Sequence, residues 1–297
     1  MQKVKEILAW GDPKSKWSIP IVELKGPITS KENRDGSSFA KNAEIQLERA
    51  LSDQRAVGVV LEISSPGGGV VPTDVIYNCV REVNEEKPVV AYIKDIGASG
   101  GYYIACGADK IMAHESAIVG SIGVVMQLVN VTGLWSKVGL QTTSFISGQY
   151  KDMGSPFRSM RDDERDLFQE MIAGIYGKFR GIVKERRGLN DATLDKIADG
   201  RVMTGASAVE WGLIDGTSAS VKDAVKVVLM LRYQRHKGNV GNVKVVRYEM
   251  KRPRSLGRAI LGVGSQRSEL SELTDLLRTV SGVSEEPSLQ YLWRSWQ

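Results

Sequence analysis

The stretch PVVAYIKDIGASGGYYIA, residues Pro88–Ala105, sets the fold class of the whole chain. It begins with a short apolar run rich in β-branched residues, Pro88–Ile93, which is typical of a buried strand. It continues into a glycine-rich turn, Gly97–Tyr103, that carries a serine, Ser99. A serine at a sharp strand-to-helix turn presents its hydroxyl where the helix dipole and the next N–H favour an oxyanion. The stretch therefore predicts a buried strand that ends at a candidate nucleophile.

The same strand signal occurs twice more in the first third of the chain, at Ile19–Leu24 and Ala56–Ile63. Helical spacing separates these runs, at Phe39–Leu51 and at Pro72–Val83, where Pro72 suits a first helical turn. Strand, helix and strand at this interval indicate a parallel sheet with crossover helices. Further elements are expected downstream: a long helix at Asp162–Arg187, short helices at Ala192–Ala198 and Ala206–Trp211, and a strand at Leu213–Asp215. The fold class is therefore α/β.

Composition places the chain among ordinary globular proteins and limits the chemistry available to it. The 297 residues are 42% hydrophobic and 25% charged, enough for one large α/β domain or two small ones. The two cysteines, Cys79 and Cys106, are best interpreted as small buried residues. The two histidines, His114 and His236, are too few for a multi-histidine metal centre. We expect neither a metal nor a cofactor.

We expect an N-terminal extension (1–18), a compact domain (19–232) and a basic, partly helical C-terminal extension (233–297), which begins where the composition changes to Gly, Lys, Arg and Ser. From Arg232 to Arg258 there are nine Lys/Arg and one acid, Glu249. A solvated surface is the simplest interpretation of such a run; contact with an anionic membrane surface is the more specific one. Nucleic acid ranks lower, because no aromatic-and-basic signature accompanies the charges. Leu270–Val280 predicts an amphipathic helix that packs on the core or on a partner subunit.

No run approaches the ~18 consecutive apolar residues of a membrane-spanning helix. The charged start of the chain lacks the apolar region of a signal peptide. As written, the chain is expected to be soluble.

Two glycine-rich turns carry the residues that could do chemistry. The stretches SSPGGGV (Ser64–Val70) and GASGGYY (Gly97–Tyr103) both follow predicted parallel strands, at the edge where sites form. Glycines let the backbone approach a ligand and direct N–H groups at a developing negative charge. The alternative is that both are merely tight turns. Ser99 is the candidate nucleophile, and Ser64 and Ser65 are its rivals.

The serine needs a general base, and the residues leave two candidates. His114 is the one histidine inside the expected domain. A lysine can serve instead when burial removes its water, because desolvation lowers the pKa of an ammonium group. Lys151 follows an expected apolar strand that begins at Leu140 and sits in a glycine-containing turn. Asp152 is adjacent, but neighbours in extended structure point to opposite faces, so the two side chains need not touch.

Five strings in order make a more specific pattern: SPGGG, DIGASGGYYIA, GSIGVV, SGQYKDMGSP and GRVMTGASAVEWGLID. Over about Ile19 to Asp215 they resemble the signal peptide peptidase A family, Ser–Lys peptidases related in fold to the Clp protease and to crotonases. The resemblance implies Ser99 as nucleophile, Lys151 as base and Ser121 as the residue that orients the lysine. It also implies an oxyanion hole made by the N–H groups of Gly68 and Gly100.

The resemblance further implies a spiral of βαβ units and a homo-oligomeric ring or dome. Longer members carry two tandem halves, so the dyad of a one-copy chain is expected to be shared between protomers. It implies short apolar peptides, such as cleaved signal peptides, as substrates. Members are typically anchored on the extracytoplasmic side of a membrane; the lack of an anchor here predicts a soluble or trimmed form.

Several alternatives stay open at this point. A phage prohead protease and a stomatin-directed membrane protease would share the chemistry. A non-catalytic scaffold and a crotonase-type acyl-CoA enzyme would not. The Clp protease itself is disfavoured, because Val124 stands where its catalytic histidine would lie.

Overall fold

The structure of the chain is a computed structural model that describes residues 4–32, 38–237, 241–250 and 290–292. These residues divide between two compact units. The first unit takes its residues from Met1–Val124, Tyr176–Arg252 and Gln290–Gln297, and the second takes its residues from Val125–Ile175 and Pro253–Leu289.

The first unit is built on parallel strands. In chain order the described strands are β1 (Val4–Gly11), β2 (Trp17–Lys25), β3 (Val59–Ser65), β4 (Gly67–Gly69), β5 (Val89–Ala98), β6 (Lys110–Ala113), β7 (Ile118–Gly120), β8 (Val202–Thr204), β9 (Gly216–Thr217), β10 (Val243–Met250) and β11 (Gln290–Leu292). The main sheet has the order β1-β10-β2-β3-β5-β6-β9, with β7 pairing β5 and β8. All its described pairs are parallel except β1 with β10 and β7 with β8. Strands β4 and β11 form a separate two-stranded sheet.

Helices alternate with many of these strands along the chain. In chain order the described helices are α1 (Phe39–Ser52), α2 (Val70–Glu86), α3 (Gly100–Ala105), α4 (Thr132–Lys137), α5 (Asp162–Arg187), α6 (Asp191–Ile197), α7 (Gly205–Glu210) and α8 (Val221–His236). Short polar side chains set where several begin, since Ser38, Asn190, Thr204 and Ser220 each accept a backbone N–H of the first turn. Helix α4 and the first half of α5 belong to the second unit.

The central strands β3 and β5 are buried on both faces, as parallel strands between helices should be. On one face, Ala224, Val225 and Val228 of α8 pack against apolar residues of the sheet, among them Val60 and Val90. Successive strand residues face opposite sides, so Val59 and its alternates fill the other layer. This two-sided burial holds the carboxyl ends of β3 and β5 in place, where both glycine-rich turns lie.

The structure agrees with the expected α/β class and with most of the elements, and differs in three places. Strands β1 and β10, from the stretches assigned to the two extensions, are members of the main sheet. Residues 213–215 form a bend that precedes β9, in which Leu213 and Ile214 are buried and Asp215 is exposed. Residues 140–148 are exposed and irregular where an apolar strand was expected. The amphipathic helix expected at Leu270–Val280 lies outside the described residues.

Candidate active site

Ser99 occupies a strained turn between β5 and α3. Its φ of 52° and ψ of −117° lie in a region that L residues rarely adopt, at a cost of about 1–3 kcal/mol. Two backbone hydrogen bonds hold it there: Ser99 N–H donates to Gly120 O (2.8 Å), and Tyr103 N–H donates to Ser99 O (2.9 Å). Its side chain makes no capping bond to α3. The backbone is therefore fixed while the hydroxyl remains available.

The three candidate serines differ in what their hydroxyls contact. Ser64 Oγ donates to Asp95 Oδ2 (3.1 Å), and Ser65 Oγ accepts the N–H of Gly67 (3.2 Å). Ser99 is 1% exposed, and its Oγ has no hydrogen-bond partner among the described residues. A buried hydroxyl without a partner costs free energy, so it usually marks a strained or functional position. The structure therefore favours Ser99 over both rivals.

Ser121 lies beside Ser99. Ala98 and Gly120 are paired residues of β5 and β7, and the two serines directly follow them. Ser121 also has a positive φ, 52°, and its N–H donates to Arg201 O at 2.7 Å. It is 7% exposed. The structure thus brings these two predicted site residues together at the carboxyl edge of adjacent parallel strands.

Gly68 is the middle residue of β4. One edge of this strand is hydrogen-bonded to the backbone of Ile28. Ile28 N–H donates to Gly67 O (2.8 Å), and Gly69 N–H donates to Ile28 O (2.9 Å). In a trans peptide the C=O and the following N–H point in opposite directions, so the N–H of Gly68 points away from Ile28. A Cβ on Gly68 would lie 2.1 Å from Ile28 O, so this approach requires glycine.

Gly100 is packed against the same strand. A Cβ there would lie 3.3 Å from the Cα of Gly67 and 2.7 Å from Thr73 Oγ1. The structure thus brings both expected oxyanion donors, Gly68 and Gly100, to the turn that carries Ser99.

Thr73 is a residue that the sequence reasoning missed. It is fully buried in α2, and its hydroxyl has no partner in the part of the chain that the structure describes. It lies next to Gly100 and hence next to the candidate nucleophile. The sequence feature that could have identified Thr73 is its position directly after Pro72, in the first turn of the helix that follows the glycine-rich strand.

The buried side chain of Tyr103 stabilises α3. Tyr103 OH donates to Asp74 Oδ1 (2.6 Å), an oxygen that also pairs with Lys178 Nζ (2.7 Å). Burial alone would raise the pKa of Asp74, but the bonds from Lys178 and Tyr103 outweigh it and lower the pKa. The ring of Tyr103 packs on Phe179, with centroids 5.0 Å apart. These contacts fix the helix that begins one residue after Ser99.

Lys151 belongs to the second unit, whereas the other predicted site residues belong to the first. It lies in a run of turns in which its N–H donates to Gly148 O (3.0 Å), and its side chain is exposed. Its ammonium has no ion-pair partner among the described residues. The neighbouring Asp152 does not hold it, because Arg158 binds both carboxylate oxygens of Asp152 at 2.8 Å. That guanidinium lowers the pKa of Asp152 below its usual range.

Arg158 in turn is anchored by Glu164 of α5. Both carboxylate oxygens of Glu164 accept from Arg158, and one also pairs with Arg161 (2.7 Å). Glu164 is fully buried, so its charge requires these partners. The cluster fixes the turn that follows Lys151 within the second unit.

The alternative base, His114, is engaged elsewhere. Its Nδ1 accepts the N–H of Ser116 at 3.2 Å. It lines an open cavity of about 570 Å³ together with Glu62, Tyr92 and Lys94, and Ser99 does not line that cavity. The histidine is therefore a weaker candidate than the sequence alone suggested.

Neither cysteine competes as a nucleophile. Cys79 and Cys106 are free thiols, half-buried and buried. Burial raises the pKa of Cys79 to about 11 and that of Cys106 to about 12. Both thiols therefore stay protonated near neutral pH. Within the described ranges, no group of three or more His, Cys, Asp or Glu could hold a metal ion.

Comparison with known proteins identifies the class of proteins to which the chain is similar. A Methanocaldococcus jannaschii protein named as a candidate protease is 38% identical over 71% of this chain and 65% of its own length. An Enterococcus faecium protein named as a candidate signal peptide peptidase SppA is 36% identical over 63% of this chain and 55% of its own. The chloroplastic serine protease SPPA of Arabidopsis thaliana is 29% identical over 90% of this chain and 37% of its own. The relatives define a class of proteases, and this chain matches only part of each.

The family model for peptidase family S49 matches residues 81–232. The chain therefore belongs to peptidase family S49, the signal peptide peptidase A family. Its parallel-rich sheet is the α/β fold of the Clp protease type, as the sequence predicted.

Proposed function

We propose that the chain is a serine endopeptidase that hydrolyses short apolar peptides, such as cleaved signal peptides, through Ser99 and Lys151. The observation that carries the proposal is the Ser99 turn. A buried, unpaired hydroxyl is held in a strained backbone beside two glycine N–H groups suited to an oxyanion. The names of the relatives support peptide bonds as the target.

The reaction is acyl transfer to water. The neutral amine of Lys151 accepts the proton of Ser99 as Oγ attacks the peptide carbonyl. The N–H groups of Gly68 and Gly100 stabilise the oxyanion, and Ser121 orients the lysine. Collapse of the intermediate breaks the C–N bond, and the leaving amine takes the proton from the lysine. Water then attacks the acyl-enzyme with the same base and regenerates Ser99.

The direct test is covalent labelling. A fluorophosphonate probe should attach to the peptide that contains Ser99, because donors that stabilise an oxyanion also stabilise the negative charge that develops when the serine attacks phosphorus. Mass spectrometry of the digested protein identifies the labelled residue, and Ser64→Ala serves as the matched control that must still label. Label on any other serine would refute this nucleophile. Activity on acyl-CoA instead of peptides would favour a crotonase-type enzyme.

A second copy of this chain is the proposed partner. A base needs a site from which water is excluded, yet Lys151 is exposed in the single chain. Large apolar side chains of the second unit are exposed as well, a pattern typical of an interaction surface. They are Val125, Val129, Leu134, Val138, Leu140, Phe145, Ile146, Tyr150, Phe157 and Met171. We therefore propose a homo-oligomer in which Ser99 and Lys151 of one site come from neighbouring protomers.

Mixing two inactive proteins tests the shared dyad. Ser99→Ala and Lys151→Ala oligomers, dissociated and reassembled together, should regain a fraction of wild-type activity. Some interfaces would then join an intact Ser99 to an intact Lys151. Activity is measured on a fluorogenic apolar peptide, with each variant reassembled alone as the control. Well-mixed oligomers that remain inactive would place both residues in one chain.

Contact with a membrane surface through the basic run remains a proposal, and the structure limits it. Arg235 pairs with Asp109, and Arg247 pairs with Glu62, so these two cations are neutralised within the fold. Across the described residues, no helix is long and apolar enough to cross a bilayer. Any attraction to anionic lipid must come from the remaining Lys and Arg of the run.

A further inference from the structure

The turn that carries Lys151 does not by itself separate this side chain from that of its neighbour Asp152. The segment is a run of turns, in which Lys151 N–H donates to Gly148 O at 3.0 Å. The alternation that sends neighbouring side chains to opposite faces belongs to extended strands and does not hold in turns. An unbound Asp152 carboxylate would therefore be able to reach the ammonium of Lys151.

Arg158 binds the whole carboxylate of Asp152. Its Nε and one terminal nitrogen donate to Oδ2 and Oδ1, both at 2.8 Å, and the same terminal nitrogen donates to the backbone O of Asp152 at 3.1 Å. A bidentate, charge-assisted pair of this kind is strong and fixes the geometry of both groups. The side chain of Asp152 is only 17% exposed, so little of its carboxylate is open to a second cation.

Glu164 holds Arg158 from the other side. Two nitrogens of the guanidinium donate to the two carboxylate oxygens of Glu164, and one of them also donates to Ser159 O at 3.0 Å. Glu164 further accepts the backbone N–H of Arg161 at 3.2 Å. The guanidinium is thus fixed between two carboxylates, so it keeps its hold on Asp152.

Further titratable groups near the turn are Tyr150, Arg161, Asp162, Asp163 and Glu164. Asp163 pairs with Arg161 at 3.2 Å, and the buried Glu164 is bound by the two arginines. Asp162 is exposed to solvent, which screens its charge. The hydrogen bond to Asp163 raises the pKa of Tyr150, so its phenol stays neutral near neutral pH. Asp152 is therefore the acid that a loss of Arg158 would release beside Lys151.

We propose that Arg158 is a positioning residue that insulates Lys151: it holds the Asp152 carboxylate away from the ammonium, so that the lysine can lose its proton. A carboxylate beside an ammonium favours the charged form of the lysine, which cannot accept the proton of Ser99. The proposal rests on the proposed function in one respect, that Lys151 acts as the base.

A double-mutant cycle on the pH profile tests the insulation. Arg158→Gln releases Asp152 and should move the ascending limb of kcat/KM to higher pH by about 1 unit or more. Asp152→Asn added to this variant should move the limb back. In the wild-type background Asp152→Asn should move the limb much less, because Arg158 already holds that carboxylate. Equal shifts in the two backgrounds indicate independent charges and would overturn the proposal.

Arg161→Gln is the matched control, because it removes the same charge from the same cluster. Arg161 binds Asp163 and Glu164, so its loss leaves Asp152 on Arg158. In this background Asp152→Asn should move the limb as little as in the wild type, and a large shift would refute the specific role of Arg158. Arg158→Lys keeps a cation beside Glu164 but loses the bidentate hold, so it replaces Arg158→Gln in the cycle if that variant unfolds.

Chemical labelling of Lys151 gives a second readout that needs no activity. In Ser99→Ala protein, acetic anhydride acylates the neutral amine and not the ammonium, so labelling against pH, mapped by mass spectrometry, follows the protonation of Lys151. The labelling curve should shift across the cycle in the pattern expected for the limb. A curve that Arg158→Gln leaves unchanged would overturn the insulation. If the curve shifts but the limb of kcat/KM does not, the insulation holds and Lys151 is not the base.

Discussion

Ser99→Ala should lower kcat/KM for an apolar peptide ester by about 10⁴-fold or more, while the protein stays folded. Loss of a nucleophile leaves only the catalysis that binding and the oxyanion hole provide. The fold should tolerate the change, because Ser99 Oγ makes no hydrogen bond within the described structure. Steady-state kinetics measure the first effect and thermal unfolding the second.

Ser65→Ala is the matched control, and it should lower stability rather than activity. Ser65 Oγ accepts the buried N–H of Gly67, so its removal leaves that N–H unpaired at a cost of about 1–3 kcal/mol. We expect a lower melting temperature with most activity retained. If Ser99→Ala keeps wild-type activity instead, Ser99 is not the nucleophile, and Ser64, Ser65 and Thr73 become the candidates.

Local signals account for the parts of the fold that could be predicted. Helix α5 begins and ends where the sequence indicated, at Asp162 and Arg187, because acids near its start and cations near its end suit the helix dipole. The β-branched runs that became β2, β3 and β5 could be recognised for a similar reason. Their apolar character is continuous, as expected when both faces are buried.

Pairing between distant segments explains what was missed. Strand β10 has five apolar residues, but it lies in a run of basic residues, and its pairing with the distant strands β1 and β2 places it in the sheet. The boundary expected at residue 232 falls inside α8, whose Ala224 and Val228 pack on the main sheet. A shift in composition marks a change of surface, which need not be the end of a domain.

The site residues also divide into those that local sequence signals identify and those that only the fold identifies. Ser99, Gly68 and Gly100 lie in two short strings whose turn geometry is local, so the sequence could identify them. The buried hydroxyl of Thr73 became notable only when Gly100 was placed beside it. The partner of Asp152 is Arg158, six residues away, and no spacing rule connects the two when the intervening chain is a turn.

Lys151→Met should abolish activity together with the ascending limb of the pH profile. A lysine can take the serine proton only after it has lost its own, so the rate should rise with pH and fall as the ammonium forms. Lys151→Arg should not restore activity, because a guanidinium stays protonated. Measuring kcat/KM from about pH 5 to 10 for the three proteins shows whether the limb is present.

Asp152, Cys79 and Cys106 do not supply such a limb. Arg158 keeps the pKa of Asp152 below its usual range, so that carboxylate is already ionised at acid pH. Burial places the pKa of Cys79 at about 11 and that of Cys106 at about 12, above the range of the assay. The limb therefore comes from none of these three groups.

Lys137→Met is the matched control, since Lys137 is an exposed lysine of the same unit and its loss changes the charge by the same amount. It should keep both the activity and the limb. If Lys151→Met stays active, and a histidine-directed reagent inactivates the protein, the base is His114. In that case His114 must act through Nε2, because its Nδ1 already accepts the N–H of Ser116.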